Sequence, residues 1–213
     1  MNITDINTTK YLQEIADQKS GSRYQQMEDY ARLRFIPIIH KEASDVLVYF
    51  IQTEQPKRIL ELGTAMGYSS IRMADTADGV LVDTIERDPE MIALAKANVA
   101  TFGLAERIHI FEGEIDEVLA ELPGPYDFIF IDAGKSHYRA YLERSLEIIS
   151  PRGMIICDNV LVRGLVAQES VERKHSTIIT KMRNFIEDVS LDNRFHSMVL
   201  PVGDGLLIIK MKE

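Results

Sequence analysis

The chain has 213 residues, of which 46% are hydrophobic and 27% charged, ordinary values for a globular protein long enough to bury its own core. A formal net charge of −9 argues against generic nucleic-acid affinity, which needs a basic face, while leaving room for a local basic patch. A single cysteine, no apolar run near the roughly 20 residues of a membrane span, and a start (Met1-Asn2-Ile3-Thr4-Asp5) without signal-peptide character point to the cytoplasm, with no membrane partner and Cys157 as a small core residue.

Residues 1–56 read as a helical cap. Ser44-Asp45 lead into Val46-Leu47-Val48-Tyr49-Phe50-Ile51, its strongest apolar segment, and Pro56 ends the region. Before it, Arg32-Leu33-Arg34-Phe35-Ile36-Pro37-Ile38-Ile39 mixes charge with apolar bulk and is broken by Pro37, which suits a connector between helices or a cover over a ligand. From Lys57 onward apolar strands alternate with helical patterns. Strands are expected at Ile59–Leu62, Val80–Glu86, Arg107–Phe111, Tyr126–Ile131 and Gly153–Cys157. Helices are expected over about Tyr68–Thr76, from Pro89 to near Gly103, and over His137–Ile149. Near-continuous apolar strands joined by helices predict a parallel sheet covered on both faces. A helix near Thr177–Val189 is followed by strands at Phe195–Val202 and Leu206–Lys212, with only Gly203-Asp204-Gly205 between them. So short a join permits a hairpin and forbids a crossover, so these two strands are antiparallel. The expected architecture is one α/β domain, 57–213 forming the core beneath the cap, without internal repeats.

The stretch after the first strand organises the rest. It reads Glu61-x-Gly63-x-Ala65-x-Gly67 and runs straight into a helix, the layout of a nucleotide crevice at the carboxyl edge of a parallel sheet. The spacing is not the dinucleotide fingerprint, and a pyrophosphate has no use for an acid at Glu61. An acid there suits a cofactor with a cationic end, such as an ammonium; a glycine turn with an incidental acid has the same letters. Glu86, 23 positions after Gly63, ends the second strand where carboxylates bind ribose hydroxyls, and Asp88 is the better candidate to cap the next helix. Gly113-Glu114 follow the third strand at the same edge, where backbone groups are candidates to meet an adenine ring, although a glycine after a strand is common.

Asp132 directly follows the fourth strand, and Asp158-Asn159 directly follow the fifth. The helix between is a crossover, so all three emerge at one sheet edge on neighbouring strands. Two carboxylates and an amide suit a hard divalent cation of the magnesium type; singly, each residue serves equally as a helix cap or turn. Lys135 lies three residues after Asp132. A neighbouring cation disfavours an ammonium, which makes such a lysine a candidate general base for a hydroxyl on the metal. A solvated loop lysine is the alternative, and His137 at a helix start suits a structural role.

Together these residues resemble the cation-dependent O-methyltransferase family, which includes catechol and caffeoyl-coenzyme A O-methyltransferases. The resemblance spans about Arg34 to Lys210. Its motifs are Glu61-Leu62-Gly63-Thr64-Ala65-Met66-Gly67-Tyr68-Ser69, Ile131-Asp132-Ala133-Gly134-Lys135, Cys157-Asp158-Asn159 and Val202-Gly203-Asp204-Gly205. It implies a Rossmann-like class I fold dependent on S-adenosyl-L-methionine (SAM), with the cofactor touching Glu61, Gly63, Ser69, Glu86, Gly113, Glu114 and Asp132. It also implies Mg2+ or another divalent cation such as Mn2+ on Asp132, Asp158 and Asn159, Lys135 and Asp132 as catalytic residues, and a homodimer. Ala65 departs from the more glycine-rich loop of other methyltransferases. Within the family, Ile36-Pro37-Ile38-Ile39-His40-Lys41-Glu42 resembles the bacterial branch that methylates the 5-hydroxyl of 5-hydroxyuridine at the wobble position of tRNA, which places Ile38 near the cofactor. The basic residues Arg23, Arg32, Arg34, Arg163, Arg173, Lys174, Lys181 and Arg183 are then candidates for a rim around an anticodon, or for solvated helix faces. A small catechol-like acceptor is the rival. A nicotinamide dehydrogenase is disfavoured by Glu61, the Ala65-x-Gly67 spacing and the hairpin, and a non-catalytic binder by the metal triad beside Lys135.

Overall fold

The computed structural model describes residues 6–170 and 172–212; the side chains of residues 6, 19, 20 and 173–175 lie outside the description. Three helices come first, α1 (Ile6–Ser20), α2 (Gln25–Arg34) and α3 (Lys41–Glu54). Strands β1 (Arg58–Leu62), β2 (Leu81–Glu86), β3 (Ile108–Glu112), β4 (Tyr126–Ile131) and β5 (Ile149–Cys157) then alternate with α4 (Tyr68–Thr76), α5 (Pro89–Thr101), α6 (Ile115–Glu121) and α7 (Tyr138–Ile148). The chain closes with α8 (Arg173–Leu191), β6 (Phe195–Leu200) and β7 (Leu206–Met211).

The seven strands form one sheet in the order β3-β2-β1-β4-β5-β7-β6. β1 to β5 are parallel; β7 runs antiparallel to β5 and pairs with β6 as the expected hairpin. Strand alternation separates two apolar layers. Ile59, Val82, Phe128, Phe130 and Ile156 face the cluster shared with α3 and α4, while Leu60, Leu62, Ile129, Ile131 and Cys157 face the one shared with α7 and α8. α3 buries Ala43, Leu47 and Ile51, one stripe at four-residue spacing, against the first layer. Helices thus cover both faces, as the apolar strands require. Among the described residues no helix is long and apolar enough to cross a membrane.

Three local features depart from expectation. α6 is a seven-residue acidic helix, too short to show a periodicity, and only Leu119 is buried. β5 begins at Ile149, four residues early, because Tyr126 pairs with Ile149 across an irregularity before the main register starts at Phe128 and Met154. The turn after β4 first forms a 3-10 turn, Lys135–His137, so α7 starts at Tyr138.

Candidate active site

The parallel strands bring their carboxyl ends to one edge, and a cavity of about 830 Å³ opens there. Its floor is the turn from Gly63 to Met66, one wall is Asp132–Lys135 with Asn159, and Pro37–His40 from the cap lies against it. Gly63 has φ +107, and a Cβ there would stand 2.7 Å from Ala133 Cβ, so the β1 and β4 ends approach this closely only with glycine. Gly67, also at positive φ, leads into α4 and its backbone N–H closes the turn onto the Thr64 carbonyl at 2.8 Å.

Of the expected cofactor residues, Ile38, Gly63, Ser69, Glu86 and Asp132 line the cavity. Glu86 is fastened by backbone: Ala65 N–H donates to Oε2 at 2.8 Å, and Arg87 and Asp88 N–H donate to Oε1 at 2.9 and 3.0 Å. Asp88 caps α5 by accepting from Glu90 and Met91 N–H, as the sequence suggests. Glu61 sits below the floor, fully buried, instead of facing the cavity. The Thr84 hydroxyl donates to Oε2 at 2.6 Å, with the Ser70 hydroxyl beside it, while Oε1 has no partner among the described residues. Burial pushes this carboxyl up to about 7, the hydroxyls of Ser69, Ser70 and Thr84 pulling back against it. Gly113 and Glu114 do not line the cavity. The Gly113 N–H is spent on the Glu86 carbonyl at 2.9 Å, and Glu114 turns to Arg87 at 3.2 Å.

The adjacent strand ends assemble Asp132, Asp158, Asn159 and Lys135 as expected. Asn159 Nδ2 donates to Asp132 Oδ1 at 3.2 Å, and Lys135 Nζ donates to Asn159 Oδ1 at 3.0 Å. Asp158 is fully buried; it accepts the Asn159 N–H through Oδ1, and its Oδ2 has no partner among the described residues. Burial, and then the negative charges of Asp158 and Glu61, push Asp132 well above the ordinary carboxylate range, with Lys135 pulling the other way. Burial also raises Asp158, against the Asn159 hydrogen bonds and the nearby His40. Among the described residues no three His, Cys, Asp or Glu side chains stand in a ligand cluster. The donor set is two carboxylates and an amide oxygen. An orphaned buried oxygen and two mutually repelling carboxylates fit a hard dication, which would satisfy the one and neutralise the other.

Sequence reasoning quoted two residues here only as members of longer stretches and gave them no role. Asp204, between the hairpin glycines, has a side chain only 10% exposed and stands 3.6 Å from Lys135 Nζ, while its Oδ1 accepts the Arg163 N–H. His40 lines the same wall, packed close to Gly203. An acid between two glycines at a hairpin join was the available signal for Asp204; nothing local marks His40. The proposed basic rim is mostly committed elsewhere. Arg23 pairs with Asp75 at 2.5 Å, Arg32 with Asp29 at 2.7 Å, and Arg34 with Glu90 at 3.6 Å. Arg183 holds the Val166 and Gln168 carbonyls, and Lys181 reaches the Ser136 carbonyl at 3.5 Å. The side chains of Arg173 and Lys174 lie outside the description.

Residues 11–212 match the model of a family described as O-methyltransferase. A catechol O-methyltransferase from Niastella koreensis is 40% identical over 122 residues, spanning 54% of this chain and 55% of that protein. A solved structure of a candidate caffeoyl-CoA O-methyltransferase from Staphylococcus aureus is 31% identical, with a TM-score of 0.90 over 98% of this chain and 100% of that one. An O-methyltransferase from Bacillus cereus, solved in complex with SAH, is 27% identical with a TM-score of 0.78 over 90% and 91% of the two chains.

Proposed function

Because the chain belongs to the O-methyltransferase family, we propose that it transfers a methyl group from SAM to a hydroxyl flanked by a second oxygen, with a divalent cation held by Asp132, Asp158 and Asn159. The observation that carries this reading is the convergence of Asp132, Asn159 and Lys135 on one wall of the cavity, with the buried Asp158 accepting the Asn159 N–H next to them. SAM, whose demethylated product is SAH, supplies an electrophilic methyl sulfonium; the cation supplies a Lewis acid that favours the deprotonated hydroxyl.

The chain's own groups do the remainder. The glycine turn and Glu86 seat the nucleoside end of the cofactor, and Ser69, held from below by the buried Glu61, meets its amino acid end. Lys135 Nζ, steered by Asn159 Oδ1 and Asp204, removes the acceptor proton as the oxygen forms its bond to the methyl group and the methyl–sulfur bond breaks. Pro37–His40 excludes water and holds the reacting atoms in line.

For the acceptor we favour the 5-hydroxyl of wobble 5-hydroxyuridine in tRNA, giving 5-methoxyuridine. Its 5-hydroxyl and 4-carbonyl offer the vicinal oxygens that a catechol offers, and the Ile36–Glu42 stretch supports this branch. A catechol-type small molecule is the second reading, favoured by the catechol and caffeoyl-CoA relatives and by the paired state of most rim arginines. A homodimeric, cytoplasmic, single-domain enzyme is part of the same proposal. The test offers the purified protein hypomodified tRNA bearing 5-hydroxyuridine and, separately, a simple catechol, at equal SAM and magnesium. Methylation of the tRNA is expected; efficient methylation of the catechol with none of the tRNA leaves the second reading.

A further inference from the structure

Arg163 lines the cavity from the segment after β5, and among the described residues nothing pairs with its guanidinium. It stands apart in this. Every other arginine with a described side chain has an ion pair, a hydrogen bond or a ring contact. Exposed at the cavity in a chain of net charge −9, this guanidinium is left free to meet an anionic ligand.

The backbone beneath it is built to keep it there. Val162 and Arg163 hold φ values of 48° and 56°, left-handed conformations that cost a β-branched or long side chain of order 1 kcal/mol or more and persist only where the surroundings enforce them. Asp204 supplies the enforcement by accepting the Arg163 N–H, while Leu161 N–H donates to the Asp204 carbonyl at 2.9 Å. The same Asp204 carboxylate faces Lys135, so the base of the Arg163 side chain is registered against the lysine that meets the acceptor hydroxyl. Arg163 is thereby tied through Asp204 to the Lys135 side of the cavity.

We infer that Arg163 binds a phosphate carried by the methyl acceptor. This deepens the proposed function and rests on it. A planar guanidinium with five donors matches a phosphate in a bidentate way, and neither the cation-held hydroxyl nor a bare catechol ring offers it a partner. Two sources share this chemistry: the backbone phosphate of a nucleotide in an RNA chain, and the phosphates of a coenzyme A thioester.

The test compares the parent enzyme with Arg163→Ala, Arg163→Lys and Arg163→Gly on hypomodified tRNA, caffeoyl-CoA and catechol. Arg163→Gly keeps the left-handed backbone without strain, and all three variants retain the N–H that Asp204 holds. The expected result is a rise in KM of about 10–100-fold for whichever phosphate-bearing acceptor the parent enzyme uses. The loss should exceed that on catechol by at least tenfold and be partly rescued by lysine. Equal losses on phosphate-bearing and phosphate-free acceptors, or none, overturn the inference, as does a parallel rise in cofactor Kd, which would put Arg163 on the methionine carboxylate. Parent activity on tRNA with unaltered variants removes this inference alone. Arg163-dependent activity on caffeoyl-CoA and none on tRNA keeps it and removes the tRNA acceptor. Activity confined to catechol removes both.

Discussion

Lys135 Nζ lies 3.0 Å from Asn159 Oδ1 and 3.6 Å from Asp204 Oδ2, so one side chain ties together the ends of β4 and β5 and the β6–β7 turn. If it takes the acceptor proton, Lys135→Ala lowers kcat by about 10²–10⁴-fold with little change in cofactor Kd, and arginine, which stays charged, does not restore the rate. Steady-state kinetics with a separate cofactor titration checks this; a defect confined to Kd contradicts it. Glu61 gives a pH-dependent expectation. Its folded value of about 7 exceeds the ordinary 4.5, so between these pH values the folded chain holds a proton that the unfolded chain has released. Stability attributable to Glu61 is therefore greatest at low pH, declines as pH rises through that window and levels off above it, by on the order of 3 kcal/mol. Glu61→Gln should flatten the profile of unfolding midpoint against pH in the ligand-free protein; a profile superposable on the parent's contradicts the assignment. An acid before Gly63 was legible in the sequence, but its burial was not, because that depends on how the hydroxyls of Ser70 on α4 and Thr84 on β2 fold against it.

The cap depends on one buried carboxylate. Glu28 of α2 accepts from Tyr68 of α4 at 2.8 Å and from Lys41 at the start of α3 at 2.7 Å. It thereby fixes both ends of the segment between α2 and α3, whose residues Pro37–His40 line the cavity. Glu28→Gln should cost about 1–3 kcal/mol, lowering the melting temperature by roughly 2–10 °C for a chain of this size. It should also weaken cofactor binding, because the segment loses its anchor. Calorimetry and a SAM titration read the two effects, and an unchanged Kd would detach the segment from the cofactor. The long elements were legible because the helices carry a periodic apolar face and the strands a continuous apolar run: Tyr68–Thr76 and Tyr126–Ile131 fall where these patterns put them. α6 and the early start of β5 were not, the one lacking length and the other set by pairing with β4.

Across the whole molecule, the parallel sheet and the terminal hairpin follow from strand–helix alternation and join length, so a crevice at the carboxyl edge was legible before any side chain was placed, while the strand order was not. The cover from the cap and the Asp204 contact were less so, because both join residues far apart in sequence. Net charge shapes a further expectation. With −9 overall, long-range attraction of a polyanion is poor, so tRNA binding rests on a few local phosphate contacts. Its affinity should then fall with salt at a logarithmic slope of about −0.7 to −0.9 per phosphate neutralised, while turnover of a phosphate-free catechol stays nearly flat; matching salt dependences would contradict this. The central claim is methyl transfer that depends on a cation held by Asp132, Asp158 and Asn159. Transfer of a labelled methyl group from SAM to the acceptor, followed in a single turnover with chelator and then with added magnesium, tests it most directly. Transfer should stop in chelator, with SAM still bound, and return with the metal; full transfer in chelator would contradict it.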